Sequence, residues 1–241
     1  MPDMSGMAAR RGAAHAPVES VSPGGMLKNT RLVVFDWDGT LMDSTGQIVA
    51  AATGAIAQLG LPPRTPDAIR DIIGLGLRES WQRLFPEHGA EHFTPFVDAY
   101  REHFLDPARQ TACLFARAAE VVAELHGRGL LLAVATGKSR LGLDRELAAT
   151  GLRDFMAGSR TADEAHSKPH PEMLLYLMET LEIPADRTLM VGDTEWDLEM
   201  ARLAGVRSVA VGYGAHTPER LRRHSPLACL ETIEALPALL D

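Results

Sequence analysis

Residues 34–44 read Val34-Phe35-Asp36-Trp37-Asp38-Gly39-Thr40-Leu41-Met42-Asp43-Ser44, directly after Leu32 and Val33. An apolar, β-branched run thus ends abruptly in two carboxylates with one residue between them. Unpaired acids are too costly to bury in an apolar core. The plain alternative is an acidic turn after a strand. The more informative reading places Asp36 and Asp38 at the carboxyl edge of a parallel sheet, where open α/β folds bind their ligands. Two carboxylates there can divide the work, one as nucleophile and the other as acid and base.

The pattern on either side predicts the fold. Arg31 to Asp36 reads as a short buried strand. From Ser44 to Leu59 the apolar positions Ile48, Ala51, Ala52, Ala55, Ile56 and Leu59 share one helical face. A further helix opens at Thr65-Pro66, with Thr65 as its N-cap. Gly74-Leu75-Gly76 breaks that helix, Leu77 to Phe85 resumes one, and Phe93 to Leu105 forms another before Asp106-Pro107. After Phe115 strands alternate with helices. The predicted strands are Leu130–Ala135, Thr188–Val191 and Val206–Val211. The predicted helices are 116–127, 139–150, 171–181, 194–204, 217–224 and 231–240. Alternation of this kind predicts an α/β fold with a doubly wound parallel sheet. The expected domains are an α/β core from 28–43 and 113–241, interrupted by an α-helical cap over 44–112. Residues 1–27, rich in Ala, Gly, Pro, Ser and Met, are expected to be a disordered leader, with Met26 at or near the native start. Arg10-Arg11 is followed by no hydrophobic run, so no export signal is read there.

Composition narrows the function. The net charge of −8 disfavours a nucleic-acid partner. No stretch of about 18 apolar residues occurs, so no membrane span is expected. The two cysteines, Cys113 and Cys229, form neither a disulfide framework nor a zinc spacing, which favours a reducing cytoplasm. Of 24 basic residues only Lys28, Lys138 and Lys168 are lysine, so each lysine stands out against arginine.

Three more constellations lie at predicted strand ends or in a loop beyond one. In Ala135-Thr136-Gly137-Lys138-Ser139 a strand gives way to a helix start, whose backbone N–H groups favour an anion. In Ser167-Lys168-Pro169-His170-Pro171-Glu172 a lysine sits in a loop rich in proline. In Met190-Val191-Gly192-Asp193-Thr194-Glu195-Trp196-Asp197 a strand ends in Gly-Asp, and Asp197 follows in the next helix, where it also suits the macrodipole. Carboxyl ends of parallel strands in one sheet converge on one crevice.

Taken together, the four blocks resemble the haloacid-dehalogenase-like phosphohydrolase superfamily over residues 31 to 215. The Gly192-Asp193 block and the helical insertion after the first motif look most like the phosphoglycolate-phosphatase-like subfamily. One departure is Leu114-Phe115-Ala116-Arg117, where relatives carry Pro-Gly at the cap exit. The resemblance implies a phosphomonoester hydrolase for a small phosphorylated metabolite such as 2-phosphoglycolate, as a monomer or homodimer. It implies Asp36 as the nucleophile that forms an aspartyl-phosphate, and Asp38 as acid and base. It further implies Mg²⁺ held by Asp36, the carbonyl of Asp38 and Asp193, with Asp197 orienting a metal-bound water. Thr136, Gly137 and Lys168 are expected to bind the phosphoryl oxygens, with Lys138 at the rim. Arg78, in the cap, is the cation expected to reach a substrate carboxylate. Asp38 argues against a dehalogenase, which lacks the second acid. The lysine-free stretch 44–112 argues against a phosphonate hydrolase, which needs a cap lysine. A sugar-phosphate mutase, or a catalytically silent binding protein on this scaffold, remains an alternative.

Overall fold

The computed structural model describes residues 27–109 and 112–241. The expected leader and start site fall outside these residues, apart from Leu27. The strands are β1 (Leu32–Phe35), β2 (Met42–Asp43), β3 (Cys113–Leu114), β4 (Leu131–Thr136), β5 (Met156–Thr161), β6 (Thr188–Gly192), β7 (Arg207–Val211) and β8 (Cys229–Leu230). The helices are α1 (Thr45–Gln58), α2 (Pro66–Asp71), α3 (Leu77–Leu84), α4 (Phe93–Leu105), α5 (Ala118–Gly127), α6 (Arg140–Thr150), α7 (Glu172–Thr180), α8 (Glu195–Leu203), α9 (Pro218–Arg222) and α10 (Leu236–Leu239).

Six parallel strands form the main sheet in the order β5-β4-β1-β6-β7-β8. β1 lies inside it, and all four of its residues are buried. Side chains alternate across a strand, so Val33 and Phe35 join one apolar layer while Leu32 and Val34 join the other. Helices cover both layers, which is why the strand reads as continuously apolar. In the register, Phe35 lies beside Val134 and Val191. Asp36, Thr136 and Asp193 therefore leave the sheet together at its carboxyl edge.

The chain enters and leaves the helical insertion through a second, two-stranded sheet, in which Met42 pairs with Leu114 and Asp43 with Cys113. Between these strands, α1–α4 pack their own apolar cluster around Trp81, Phe85 and Phe96, with ring centroids 4.8 to 6.0 Å apart. Thr65 caps α2 as expected, accepting the Ala68 N–H at 3.1 Å.

The fold differs from the sequence expectation at the edges. β5, an edge strand reading Met-Ala-Gly-Ser-Arg-Thr, was not predicted. Its half-exposed pattern contains one β-branched residue, and it takes its form from pairing with β4. The predicted helix over 231–240 is a 3₁₀ turn at Ile233–Ala235 followed by the short α10, and β8 precedes it.

Candidate active site

The loop after β1 is fixed before any side chain acts. The Trp37 carbonyl accepts the N–H groups of Leu41 at 3.1 Å and Met42 at 2.9 Å, and the Gly39 N–H donates to Met42 at 2.8 Å. Gly39 has φ +84°, and a Cβ there would collide with the Asp193 carboxylate. Gly214 leaves the same kind of space on another side of Asp193. The two glycines make a slot into which the buried Asp193 fits. Within it Asp193 accepts from the Thr40 hydroxyl at 2.9 Å and the Ala215 N–H at 2.8 Å.

Asp36, Asp193, Asp197 and Lys168 are all 1% exposed or less. Lys168 Nζ lies 2.7 Å from Asp36 Oδ1 and 2.6 Å from Asp197 Oδ1. The contact to Asp36 is a close ion pair without hydrogen-bond alignment, so both buried oxygens of Asp36 lack a hydrogen-bond partner. Burial above all pushes the Asp36 pKa well above the ordinary range; Asp197 and Asp193 add to the effect, against the pull of Lys168. Burial, then Asp197, pushes Asp193 up to about 7. Burial disfavours the charge on Lys168, but Asp197 and Asp36 hold its pKa well above the usual value.

Asp36, Asp193 and Asp197 bring carboxylate oxygens within 4.8 Å of one another, so one lysine faces three acids. A hard divalent cation suits such an all-oxygen cluster, and Asp36, whose Oδ1 is ion-paired with Lys168 and whose oxygens accept no aligned hydrogen bond, fits it. Asp197 fits less well, because both its oxygens are engaged. Oδ1 accepts from Lys168, and Oδ2 accepts from the Thr194 N–H at 3.0 Å and the Thr194 hydroxyl at 2.6 Å. Asp197 caps α8 and anchors Lys168.

Asp38 is 9% exposed and has its own partners. Ser44 stands at the N-cap position of α1 but makes no capping bond. Its hydroxyl instead donates to Asp38 Oδ1 at 2.6 Å. Lys138 Nζ lies 3.1 Å from the same oxygen and 3.1 Å from Glu146 Oε1. The expected rim position of Lys138 is thus wrong; its side chain is 9% exposed and touches Asp38. Glu146 also accepts the buried Trp37 indole N–H at 2.5 Å. Neither Glu146 nor Ser44 was read as a site residue. A serine at a helix start six residues after Asp38 was the available signal for Ser44; Glu146 offered none.

Thr136 is buried at the end of β4 and accepts the Lys138 N–H at 3.2 Å. Gly137 lies against the insertion, where a Cβ would be 2.6 Å from the carbonyl oxygens of Gly74 and Leu75. Arg78 is placed apart from these groups. Its guanidinium lies 4.9 Å from the Phe93 ring centroid and lines an outer groove rather than the cavity at Asp36. The arginine that reaches that cavity from the insertion is Arg101.

A doubly wound sheet with converging acids and a buried lysine at its carboxyl edge, beside a helical insertion, defines an α/β protein with an acid-based polar site. The chain belongs to the haloacid dehalogenase-like hydrolase family, whose sequence profile matches residues 33–211. It is 38% identical over 205 residues to the probable phosphatase IndB of Dickeya dadantii, covering 83% of this chain and 89% of that one. It is 32% identical to a plasmid-encoded phosphoglycolate phosphatase of Cupriavidus necator, covering 86% and 92% of the two chains. It is also 32% identical to the N-acetylmuramic acid 6-phosphate phosphatase of Pseudomonas aeruginosa, covering 80% and 87%. Among solved structures, a hydrolase from Pseudomonas syringae superposes with a TM-score of 0.80 at 25% identity, covering 87% and 98%. A haloacid dehalogenase-like family hydrolase from Streptococcus pneumoniae superposes at 0.76 and 22% identity, covering 88% and 99%.

Proposed function

We propose that the protein is a magnesium-dependent phosphomonoester hydrolase that works through an aspartyl-phosphate on Asp36. The observation that carries this reading is the buried Asp36, ion-paired with Lys168 Nζ at 2.7 Å and accepting no aligned hydrogen bond, next to a second acid with separate partners. The relatives named as phosphatases, with different substrates, support the reaction class more than any one substrate.

In the first half-reaction an Asp36 oxygen attacks phosphorus and the ester P–O bond breaks. Asp38 gives its proton to the departing alkoxide. Ser44 and Lys138 occupy Asp38 Oδ1, which leaves Oδ2 to carry that proton. In the second half-reaction Asp38 takes a proton from water, whose oxygen attacks phosphorus, releasing phosphate and restoring Asp36. Lys168, Thr136 and the Gly137 N–H would meet the phosphoryl oxygens, and Asp197 keeps Lys168 in place. Asp36, the main-chain carbonyl of Asp38 and Asp193 would hold magnesium, which when bound supplies positive charge to the phosphoryl oxygens. No helix among the described residues is long and apolar enough to cross a membrane. Cys113 and Cys229 are free thiols, which supports a reducing cytoplasm.

The test is magnesium-dependent phosphate release across a panel of phosphorylated metabolites. Asp36→Asn is expected to abolish release while the circular dichroism spectrum stays unchanged. Asp38→Asn should slow both half-reactions, for a loss of about 10²–10⁴-fold in kcat. Appreciable turnover by Asp36→Asn would remove the nucleophile assignment.

A further inference from the structure

We propose that the substrate of this site carries an apolar ring beside its phosphoryl group, in place of the carboxylate of 2-phosphoglycolate; this rests on the phosphatase reading above. A cavity of about 180 Å³ opens off Asp36 and Asp38, between the β4–α6 loop and the insertion. Ile48, Ile72 and Leu75 line it from the insertion side. Phe96, Tyr100 and Phe104 line it from α4, at i, i+4 and i+8 on one helical face. Their rings form a ladder, with centroids 6.4 and 5.7 Å apart and planes tilted by 23° and 27°. Such a wall offers dispersion contacts and the removal of apolar surface from water, and both favour a ring.

The charges oppose the alternative. A carboxylate one carbon from the phosphoryl group needs a free cation close to the acid pair, because an unpaired buried anion is costly. Both lysines there are already balanced. Lys168 lies between Asp36 and Asp197, and Lys138 lies between Asp38 and Glu146, with its ammonium 4.8 Å from the Phe104 ring centroid. Among the described residues the other cations lining the cavity are Arg101 and Arg145, both exposed. The cavity lining also includes two exposed leucines, Leu105 of α4 and Leu141 of α6, at 41% and 83% exposure. Burial, then Asp38 and Glu146, holds the Tyr100 hydroxyl protonated well beyond its usual range.

Benzyl phosphate and 2-phosphoglycolate release alcohols of similar acidity, so comparing them isolates recognition from leaving-group chemistry. With the full chain and magnesium, kcat/KM for benzyl phosphate is expected to exceed that for 2-phosphoglycolate by about tenfold or more. Benzylphosphonate should inhibit phosphate release at correspondingly lower concentration than phosphonoacetate. Phe104→Leu, which trims the ladder, should narrow the benzyl preference. A kcat/KM for 2-phosphoglycolate equal to or above that for benzyl phosphate overturns the proposal and leaves the phosphatase reading standing. Absence of phosphate release from every ester overturns both.

Discussion

Arg117 sits at φ +63°, in the left-handed region, directly before α5. A side chain there costs on the order of 1–2 kcal/mol relative to glycine, the residue that adopts this region without strain. Its ion pairs do not repay that cost, because Arg117 and its partners Glu120 and Glu234 are all more than half exposed, at 3.4 and 3.8 Å. Arg117→Gly is therefore expected to stabilise the protein by roughly 1 kcal/mol, after the extra chain entropy of glycine is counted, read as a raised urea midpoint. The Leu114-Phe115-Ala116-Arg117 exit thus makes a left-handed bend at a residue other than glycine. Glu146 presents a second contrast. Glu146→Ala leaves the fully buried Trp37 N–H without an acceptor and should destabilise by about 1–3 kcal/mol. Glu146→Gln keeps an acceptor for the indole but removes the charge that shares Lys138 with Asp38. Its stability should return towards wild type while kcat stays low, which separates the two roles of this side chain. Asp36, Asp38 and Asp193 were legible in the sequence because each is a costly residue type at or just beyond the end of an apolar strand, and Lys168 because it is one of three lysines and sits in a proline-flanked loop. Lys138 and Glu146 were not, because their positions depend on the direction in which α6 leaves the β4 loop.

At the scale of elements, the N-terminus of α8 joins cap chemistry to site chemistry. Thr194 and Asp197 form a reciprocal capping box, and the same Asp197 holds Lys168. Asp197 meets the structural reading as a cap of α8, and the same carboxylate holds Lys168. β5 was illegible for the opposite reason: its six residues carry little strand signal, and pairing with β4 decides their form. His216 pins α8 to the insertion. Its Nδ1 accepts the Glu195 N–H at 3.0 Å, and its Nε2 faces the Asp71 carbonyl at 3.4 Å. Burial, then the Arg220 charge, lowers the His216 pKa, so the folded protein favours the neutral ring. The corresponding stability is fully present above the unfolded histidine pKa of about 6.5 and is lost as pH falls through that value towards the lower folded one. Other buried acids titrate too, so the informative quantity is a difference. His216→Gln, whose amide can accept and donate at the same two points, should show a smaller drop in Tm between pH 7.5 and 5.5 than wild type. Parallel pH curves for the two proteins would show that His216 does not set this slope.

At the scale of the molecule, the insertion rests on the core at the loops that would hold the phosphoryl group. The carbonyls of Gly74 and Leu75 stand over Gly137, and the Gly76 N–H donates to the Ser167 hydroxyl at 2.8 Å, one residue from Lys168. Away from the cavity, Arg220 pairs with both Glu195 and Asp71, and the Trp196 indole donates to the Asp71 carbonyl at 3.2 Å. In the proposed mechanism Gly137 would have two separable jobs: supplying an N–H to the phosphoryl group, and leaving room for the insertion. Alanine keeps the first and destroys the second, since its methyl would lie 2.6 Å from two backbone carbonyls that cannot swing aside as a flexible side chain can. If the N–H alone matters, Gly137→Ala should retain kcat/KM within a few-fold. If the seat matters, the insertion is lifted from the acid pair, and a displacement on the order of 1 Å costs about 10²-fold. We expect the larger loss in kcat/KM, with Tm little changed, because the β-sheet beneath Gly137 is undisturbed. Gly46→Ala, on α1 with nothing within 4 Å of the new methyl, is the matched control and should leave kcat/KM unchanged.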